Sequence, residues 1–231
     1  MIGAHPDIVV KLTDVTVDIP LRGLKKSEIQ ADPRIRQMRS GRIVLRALDK
    51  VSLEIRRGER IGIIGGNGNG KTTLLKLIAG ILPAASGEVH VQGSIRSLLT
   101  IGAGTVLALT GRQNVHLRYA LLGIRKLSLE EYVQDVADFA ELGAFFDLPV
   151  GTYSPGMQSR LQFAMSTVEP AAILLLDEWM GVADRDFQQK AHDRLVEYIK
   201  SNEAFVFASH NENLLREMTD RTLNLKLGKI I

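Results

Sequence analysis

The chain has 231 residues, a formal net charge of +3 and 45% hydrophobic residues, which suits one well-buried core with a small appended lobe. It has no cysteine, which excludes a disulfide framework. Because it has no apolar run of 18 residues, and residues 1–7 lack the basic and apolar regions of a signal peptide, we expect neither a membrane span nor a secretory leader.

The first part of the chain predicts two strands around a basic insertion. Residues 8–18 and 51–55 alternate apolar and polar side chains, as half-buried strands do. Between them, residues 21–46 carry a local net charge of +6. Such an insertion either contacts an anionic membrane surface, where each Lys or Arg contributes about 1 kcal/mol, or is a solvated loop. Nucleic acid is the least favoured partner, because no aromatic residue lies among the charges to stack on bases.

A glycine-rich segment fits the pattern G-x-x-x-x-G-K-[ST] in full. Residues 56–59 predict a turn and residues 60–64 a short buried strand before it, and residues 74–78 predict a helix after it, ended by Gly80 and Pro83. Strand, loop and helix form a phosphate cradle, because backbone amides and a helix N-terminus attract an anion. Lys71 can reach the β- and γ-phosphates of a nucleoside triphosphate, and Thr72 can ligate Mg²⁺. The predicted nucleotide-contacting residues of this P-loop are Gly65, Gly66, Asn67, Gly68, Asn69, Gly70, Lys71, Thr72 and Thr73.

Two later apolar runs predict strands that end beside this loop. Residues 171–176 are apolar throughout, as in a strand buried on both faces of a parallel sheet. Asp177 and Glu178 follow it at the carboxyl end, where open α/β sheets place ligands. Asp177 can meet the Mg²⁺ held by Thr72, and Glu178 can polarise a water for attack on the γ-phosphate. Residues 204–208 predict a second buried strand that delivers His210 to the same edge.

Local signals predict four further elements. Residues 88–91 and 95 flank Gly93-Ser94 as a hairpin. Ser128 and Glu131 form a capping box for a helix through about residue 142. Ser154 and Pro155 begin another helix as N-cap and first helical residue, which leaves the amides of Gly156 and Met157 free to point at a phosphate. Residues 223–227 predict a closing strand.

With these motifs in this order, nearly the whole chain, from about residue 8 to 231, resembles the ATP-binding cassette ATPases. The resemblance implies a single α/β domain over residues 1–231: a P-loop NTPase with a RecA-like core, an antiparallel β subdomain and a helical lobe at about 99–159 that carries the signature motif at residues 153–158. It also implies that ATP and Mg²⁺ are the cofactors and that two subunits form a head-to-tail homodimer with nucleotides sandwiched between them.

The resemblance assigns roles residue by residue. Glu178, His210 and Lys71 match the catalytic residues of the family. Ser154 and Gly156 match the signature residues that bind the γ-phosphate held by the opposite subunit, and Asp184 matches the D-loop aspartate. Thr72 and Asp177 are the expected metal ligands, joined by Thr100, which is the only polar side chain near the place of the family's Q-loop glutamine.

One usual contact of the family has no counterpart, because no aromatic residue precedes Tyr119. Adenine therefore has no upstream aromatic ring to stack on. The guanidinium of Arg46 or an apolar residue near Ile19 is expected to take that place.

Three short segments, at residues 99–104, 109–115 and 153–157, look like the polysaccharide-export members of the family. This resemblance implies ATP-driven export of a lipid-linked polysaccharide of the O-antigen, capsule or teichoic-acid type. The transport path would be a separate transmembrane permease in a 2:2 complex, with the ATPase at the cytoplasmic face of the bacterial inner membrane. Two alternatives stay open: the ATPase of a drug or lipid exporter, and a soluble cassette ATPase acting on nucleic acid. The single P-loop and the absence of heptad runs disfavour the last.

Overall fold

The computed structural model describes residues 7–21, 23, 32–99, 102–124, 126–178 and 185–231. It divides into two compact units, which are described separately. The first unit comprises Met1–Leu99, Ala171–Trp179 and Glu203–Ile231. The second unit comprises Thr100–Pro170 and Met180–Asn202.

The secondary structure over the described residues is mixed. The strands are β1 (Ile8–Leu21), β2 (Ile35–Gln37), β3 (Ile43–Arg56), β4 (Arg60–Ile64), β5 (Ser86–Val91), β6 (Ile95–Ser97), β7 (Ile173–Asp177), β8 (Ala204–Ser209), β9 (Arg221–Lys226) and β10 (Lys229–Ile230). The α-helices are α1 (Lys71–Ile78), α2 (Gly111–Leu122), α3 (Leu129–Ala140), α4 (Pro155–Ser166), α5 (Arg185–Ser201) and α6 (Glu212–Met218).

The first unit contains an antiparallel sheet in the order β2-β3-β1-β5. The end of β3, residues 51–56, alternates strictly between buried and exposed side chains, as the sequence predicts. β1 does not alternate throughout, because both of its ladders shift register between residues 12 and 16 and Asp14 has a φ of 48°. Both strands are longer than predicted: β1 runs on to Leu21 and β3 already begins at Ile43.

A second sheet of the first unit has the order β10-β9-β4-β8-β7-β6. Four of its five ladders, all except that between β9 and β10, are parallel, so the carboxyl ends of β4, β7 and β8 lie at one edge. β7 and β8 are almost wholly buried, which confirms the prediction from their continuous apolar runs. β9 contains Leu223 and Leu225 as predicted, whereas Leu227 follows the strand with a φ of 49°.

The predicted hairpin at Gly93-Ser94 is wrong. β5 pairs with β1 in the antiparallel sheet, and β6 pairs in parallel with β7, with Ile95 opposite Ile173. Gly93, with a φ of 98°, turns the chain from one sheet to the other. The amide of Ile173 donates to the carbonyl of Ser94 at 3.0 Å and so fixes this crossing. Pairing with the buried β7 stabilises β6 more than a two-stranded hairpin would, because such a hairpin has only marginal stability by itself.

The core of the first unit includes α1 and strands of both sheets. Leu74, Leu75, Leu77 and Ile78 of α1 are each at most 2% exposed, as their spacing predicts. Full burial of each such side chain contributes about 1.5–3 kcal/mol. The same packing therefore fixes the N-terminus of α1 against the sheet.

The second unit contains α2, α3, α4 and α5. The predicted capping box of α3 is confirmed: the Glu131 amide donates to Ser128 Oγ, and the Ser128 amide donates to the Glu131 carboxylate. α3 ends slightly earlier than predicted, because Glu141 already takes the left-handed conformation. The buried Tyr132 hydroxyl donates to Met165 O at 2.7 Å and joins α3 to α4. No helix within the described ranges has the length and apolar character needed to cross a bilayer.

Candidate nucleotide-binding site

The P-loop connects the carboxyl end of β4 to the first turn of α1. Two of its glycines are required by space: a Cβ at Gly65 would lie 2.4 Å from Leu225 O, and one at Gly70 would lie 2.6 Å from Ala47 O. Gly70 also has a φ of 103° and caps α1 without a side-chain hydrogen bond. The first-turn amides of α1 therefore remain available to an anion.

Lys71 places its positive charge inside this loop. Its side-chain Nζ donates to Gly65 O at 2.7 Å and to Gly66 O at 3.4 Å, and the residue is only 6% exposed. A buried ammonium with carbonyl partners is a charge that an incoming phosphate can capture. This position agrees with the predicted phosphate contact, which stays a prediction.

The structure joins Thr72 and Asp177, as the sequence predicts. Thr72 Oγ1 donates to Asp177 Oδ2 at 2.5 Å across 105 residues of sequence. Thr72 stands in the first turn of α1 and Asp177 ends β7. A hydroxyl and a carboxylate oxygen are ligands that hard divalent cations prefer, with phosphate oxygens and waters completing the shell. The pair therefore fits a metal bound together with a nucleotide.

Glu178 and His210 meet at the same edge of the sheet. β7 and β8 are parallel neighbours, with Asp177 opposite Ala208, and the Glu178 amide donates to Ala208 O at 2.8 Å. His210 Nδ1 lies 3.0 Å from Glu178 Oε1. Both side chains are open to solvent, with exposed fractions of 69% for His210 and 38% for Glu178. A carboxylate and an imidazole in this arrangement can orient and deprotonate a water.

The backbone of Glu178 is strained. Its φ is 48°, in the left-handed region that costs a non-glycine residue about 1–3 kcal/mol. This conformation interrupts the extended backbone directly after Asp177, the last residue of β7. Strain of this kind is typical of functional positions that the surrounding structure fixes.

Asn69 has a role that its place in the motif does not indicate. Its Oδ1 accepts from the Leu227 amide at 3.1 Å, and its backbone carbonyl accepts from the Gly228 amide at 3.0 Å. The side chain therefore holds the turn between β9 and β10 against the P-loop. No local sequence pattern connects residues 69 and 227, so this contact is not readable from the sequence.

Arg46, expected as a stacking surface for adenine, forms an ion pair across β1 and β3. Its Nε and Nη2 donate to the two carboxylate oxygens of Asp18 at 3.0 and 3.2 Å, and Asp49 lies 3.6 Å away. These contacts raise the pKa of Arg46, chiefly through the hydrogen bonds to Asp18. The edge of the guanidinium is thus occupied by structural partners.

The signature residues lie in the second unit, at the N-terminus of α4. Ser154 is the N-cap and Pro155 the first helical residue, as predicted. The expectation that the Met157 amide is free is wrong, because it donates to Ser154 Oγ at 3.2 Å. An N-cap serine usually accepts a hydrogen bond from one backbone amide of the first helical turn, and here that amide belongs to Met157. The role of Ser154 and Gly156 in binding phosphate stays a prediction, and Thr100 and Asp184 lie outside the described residues.

Comparison with known proteins identifies the family of this chain. The sequence model of the ABC transporter family matches residues 48–181. The O-antigen export system ATP-binding protein RfbE of Yersinia enterocolitica is 41% identical over 197 residues, covering 85% of this chain and 82% of that protein. The teichoic acids export ATP-binding protein TagH of Shouchella clausii is 39% identical over 80% of this chain. The chain spans 51% of the length of that TagH protein.

A solved structure shows the same fold. The dimeric, post-hydrolysis ATP-binding cassette MJ0796 bound to ADP and Pi superposes with a TM-score of 0.70, at 23% identity and with 96% of each chain covered. This likeness confirms the P-loop NTPase fold with its mixed α/β sheets. The family match extends over more than half of the sequence and includes the P-loop, Asp177 and Glu178. The chain therefore belongs to the ABC transporter family and is an ATP-binding cassette ATPase.

Proposed function

We propose that this chain is the ATP-hydrolysing subunit of a transporter that exports a lipid-linked polysaccharide of the O-antigen, capsule or teichoic-acid type. ATP hydrolysis is supported by two side-chain contacts at the strand ends beside the P-loop. Thr72 contacts Asp177, and Glu178 contacts His210. The substrate class rests on the names of the relatives, which are export proteins for O-antigen and teichoic acids.

In the proposed reaction, the P-loop amides and Lys71 hold the phosphates of ATP. Thr72 and Asp177 would hold Mg²⁺, and the bound ion would polarise the γ-phosphate. Glu178 accepts a proton from the water that attacks the γ-phosphorus, while the bond from that phosphorus to the bridging oxygen breaks and ADP leaves. His210 orients the carboxylate or contacts the phosphate. Asp184 and Thr100 are assigned to the same site by the family pattern alone.

We further propose that two copies of the chain form the working ATPase. Ser154 and Gly156 begin a helix, and a helix N-terminus attracts an anion. In a head-to-tail homodimer this element of one copy would complete the nucleotide site of the other. The cassette MJ0796, which is similar in fold, has dimeric solved structures, and this supports the arrangement.

The second unit offers an apolar surface for the membrane partner. Leu107, Phe145 and Leu148 are 55%, 46% and 45% exposed. They belong to neighbouring segments, since the Gly151 amide donates to Leu107 O at 2.8 Å. The buried Asn114 braces this region through bonds to the amide and the carbonyl of Val106. We assign this surface to cytoplasmic helices of a separate permease, in a 2:2 complex at the cytoplasmic face of the bacterial inner membrane.

Co-purification from detergent-solubilised membranes tests this assignment. The native chain should bring down a polytopic membrane protein, and a Leu107→Asp, Leu148→Asp double variant should lose it while keeping its basal ATPase activity. Ile81→Asp is the matched control, because Ile81 is an exposed apolar residue of the first unit. A soluble partner, or equal capture by both variants, would contradict the assignment. In reconstituted complexes, ATP turnover should rise with lipid-linked glycan and not with hydrophobic drugs.

A further inference from the structure

Arg34, from the basic insertion, contacts the P-loop. Its Nη1 donates to Gly68 O at 2.6 Å across 34 residues of sequence. Its side chain is only 15% exposed, although it comes from a segment that the sequence predicts as a solvated or membrane-facing loop. The contact joins this guanidinium to a carbonyl of the phosphate cradle.

The other edge of the guanidinium is held by Asp32. Arg34 Nε lies 3.0 Å from Asp32 Oδ1, and Nη2 lies 2.6 Å from Oδ2. Hydrogen bonding to Arg34 lowers the pKa of Asp32 to about 2 and raises that of Arg34. The pair is therefore ionised at every pH at which an ATPase operates. Two parallel bonds of this type fix the plane of a guanidinium as well as its position.

The backbone of Arg34 is fixed as well. Its carbonyl accepts from the Arg46 amide at 2.9 Å, next to the ladder in which Ile35 stands opposite Leu45. Its own amide donates to Asp32 Oδ1 at 2.9 Å. The side chain therefore reaches the P-loop from a rigid base, and the Nη1 bond is not the chance contact of a free arginine.

This bond fixes the peptide between Gly68 and Asn69. In a planar trans peptide the C=O and the N–H point in opposite directions, so holding Gly68 O also sets the direction of the Asn69 amide. Within the described ranges that amide donates to Gly66 O at 3.3 Å, a long bond that a phosphate oxygen can replace. Leu227 and Gly228 hold Asn69 from the other side.

We infer that Arg34 is a positioning residue for nucleotide binding, which orients the Gly68–Asn69 peptide so that the P-loop is preorganised for the phosphates. Arg34 acts on the phosphates through the loop and not on the base. The inference rests on the proposed ATPase role of the P-loop and is independent of the exported substrate. Preorganisation of this kind increases affinity by lowering the ordering cost of binding.

The test compares the binding of Mg²⁺-ADP and of inorganic pyrophosphate by calorimetry. Arg34→Ala should weaken the affinity for both ligands by the same factor, about five- to tenfold. This is the loss expected when one charge-assisted hydrogen bond that acts on the ligand through the P-loop is removed. Arg34→Lys should recover part of the loss, since it keeps the charge but cannot bridge Asp32 and Gly68 together. In turnover, the KM for ATP should rise while kcat at saturating ATP stays unchanged.

Arg36→Ala is the matched control. Arg36 belongs to the adjoining β2, its side chain is 46% exposed, and it lies 3.8 Å from Asp49; its removal should leave both affinities unchanged. A loss of affinity for ADP without a loss of affinity for pyrophosphate would overturn the inference and would indicate that Arg34 contacts the nucleoside. Unchanged affinity of Arg34→Ala for both ligands would overturn it as well. If the native chain binds neither ligand, the proposed ATPase role of the P-loop is wrong, and this inference falls with it.

Discussion

His210 Nδ1 and Glu178 Oε1 lie 3.0 Å apart, on the ends of two neighbouring parallel strands. The parallel register of β7 and β8 brings the two residues to the same edge although 32 positions separate them in the sequence. Neither side chain is part of the buried core: the exposed fractions are 69% for His210 and 38% for Glu178. Their proximity therefore reflects the chemistry of the site more than packing.

Replacing the proposed base should separate ATP binding from hydrolysis. In Glu178→Gln the phosphate cradle and the Thr72–Asp177 pair remain, but the proton acceptor is lost. Turnover should fall by about 10²–10⁴-fold, and ATP should now hold two subunits together. Light scattering with Mg²⁺-ATP measures the dimer. The control is Glu212→Gln, an exposed carboxylate on α6. A monomer with native turnover would remove Glu178 from the mechanism.

Removal of the imidazole should affect hydrolysis alone. His210→Ala leaves the P-loop intact, so affinity for ADP should stay within about twofold of native, whereas turnover should fall by about 10²-fold or more. His90→Ala, at an exposed position of β5, should change neither quantity. ADP titration and a phosphate-release assay measure the two effects. Loss of ADP affinity in His210→Ala would show that the histidine supports binding and not catalysis.

The signature residues are expected to act on the opposite subunit. Ser154→Arg should leave ATP binding to the isolated subunit nearly unchanged, because Ser154 caps α4 and the P-loop lies in the other unit. It should abolish hydrolysis and dimerisation. A mixture with Lys71→Ala subunits has one intact composite site per heterodimer and should recover partial activity if one site suffices.

A capping control accompanies this experiment, since loss of an N-cap costs about 0.5–2 kcal/mol by itself. Ser128→Ala removes the matched cap of α3 in the same unit and should destabilise the chain without loss of hydrolysis. If monomeric Ser154→Arg instead fails to bind ATP, the signature acts in cis and the sandwich arrangement is wrong.

The Asp32–Arg34 pair gives a pH dependence. The folded pKa of Asp32 is about 2 against an ordinary value of 3.8, so its contribution to stability is present above about pH 4 and is lost as the pH falls towards 2. Asp32→Asn should therefore lower the free energy of unfolding by about 1 kcal/mol at pH 7 and at pH 5. Urea unfolding at pH 3 should show a smaller difference. A difference that grows at low pH would contradict the assigned ion pair.

The sequence predicts the parts of this molecule that depend on short-range patterns. The strand before the P-loop, the apolar face of α1, the buried runs before Asp177 and His210, and the caps at Ser128 and Ser154 all agree with the structure. Each rests on spacing within a few residues, or on the rule that parallel strands end at one edge.

The remaining features depend on contacts between distant segments. The residue types at positions 93–95 do not indicate that the chain crosses from β5 in one sheet to a strand beside β7 in the other. A glycine turn is compatible both with a hairpin and with a crossing between sheets. The bond from Arg34 to Gly68 and that from Leu227 to Asn69 span 34 and 158 residues. The charge of the basic insertion predicts a surface role, whereas one of its arginines, Arg34, lies partly buried against the P-loop.

The most direct test of the proposed function is the fate of lipid-linked polysaccharide in cells whose only copy of this chain carries Glu178→Gln. Without ATP hydrolysis the export cycle should stop, so finished lipid-linked glycan should accumulate at the cytoplasmic face while surface polysaccharide is lost. Labelling of intact and of permeabilised cells with a glycan-specific probe distinguishes the two pools. Cells that keep normal surface polysaccharide and instead become sensitive to a drug would contradict the proposal and identify an exporter of another substrate class.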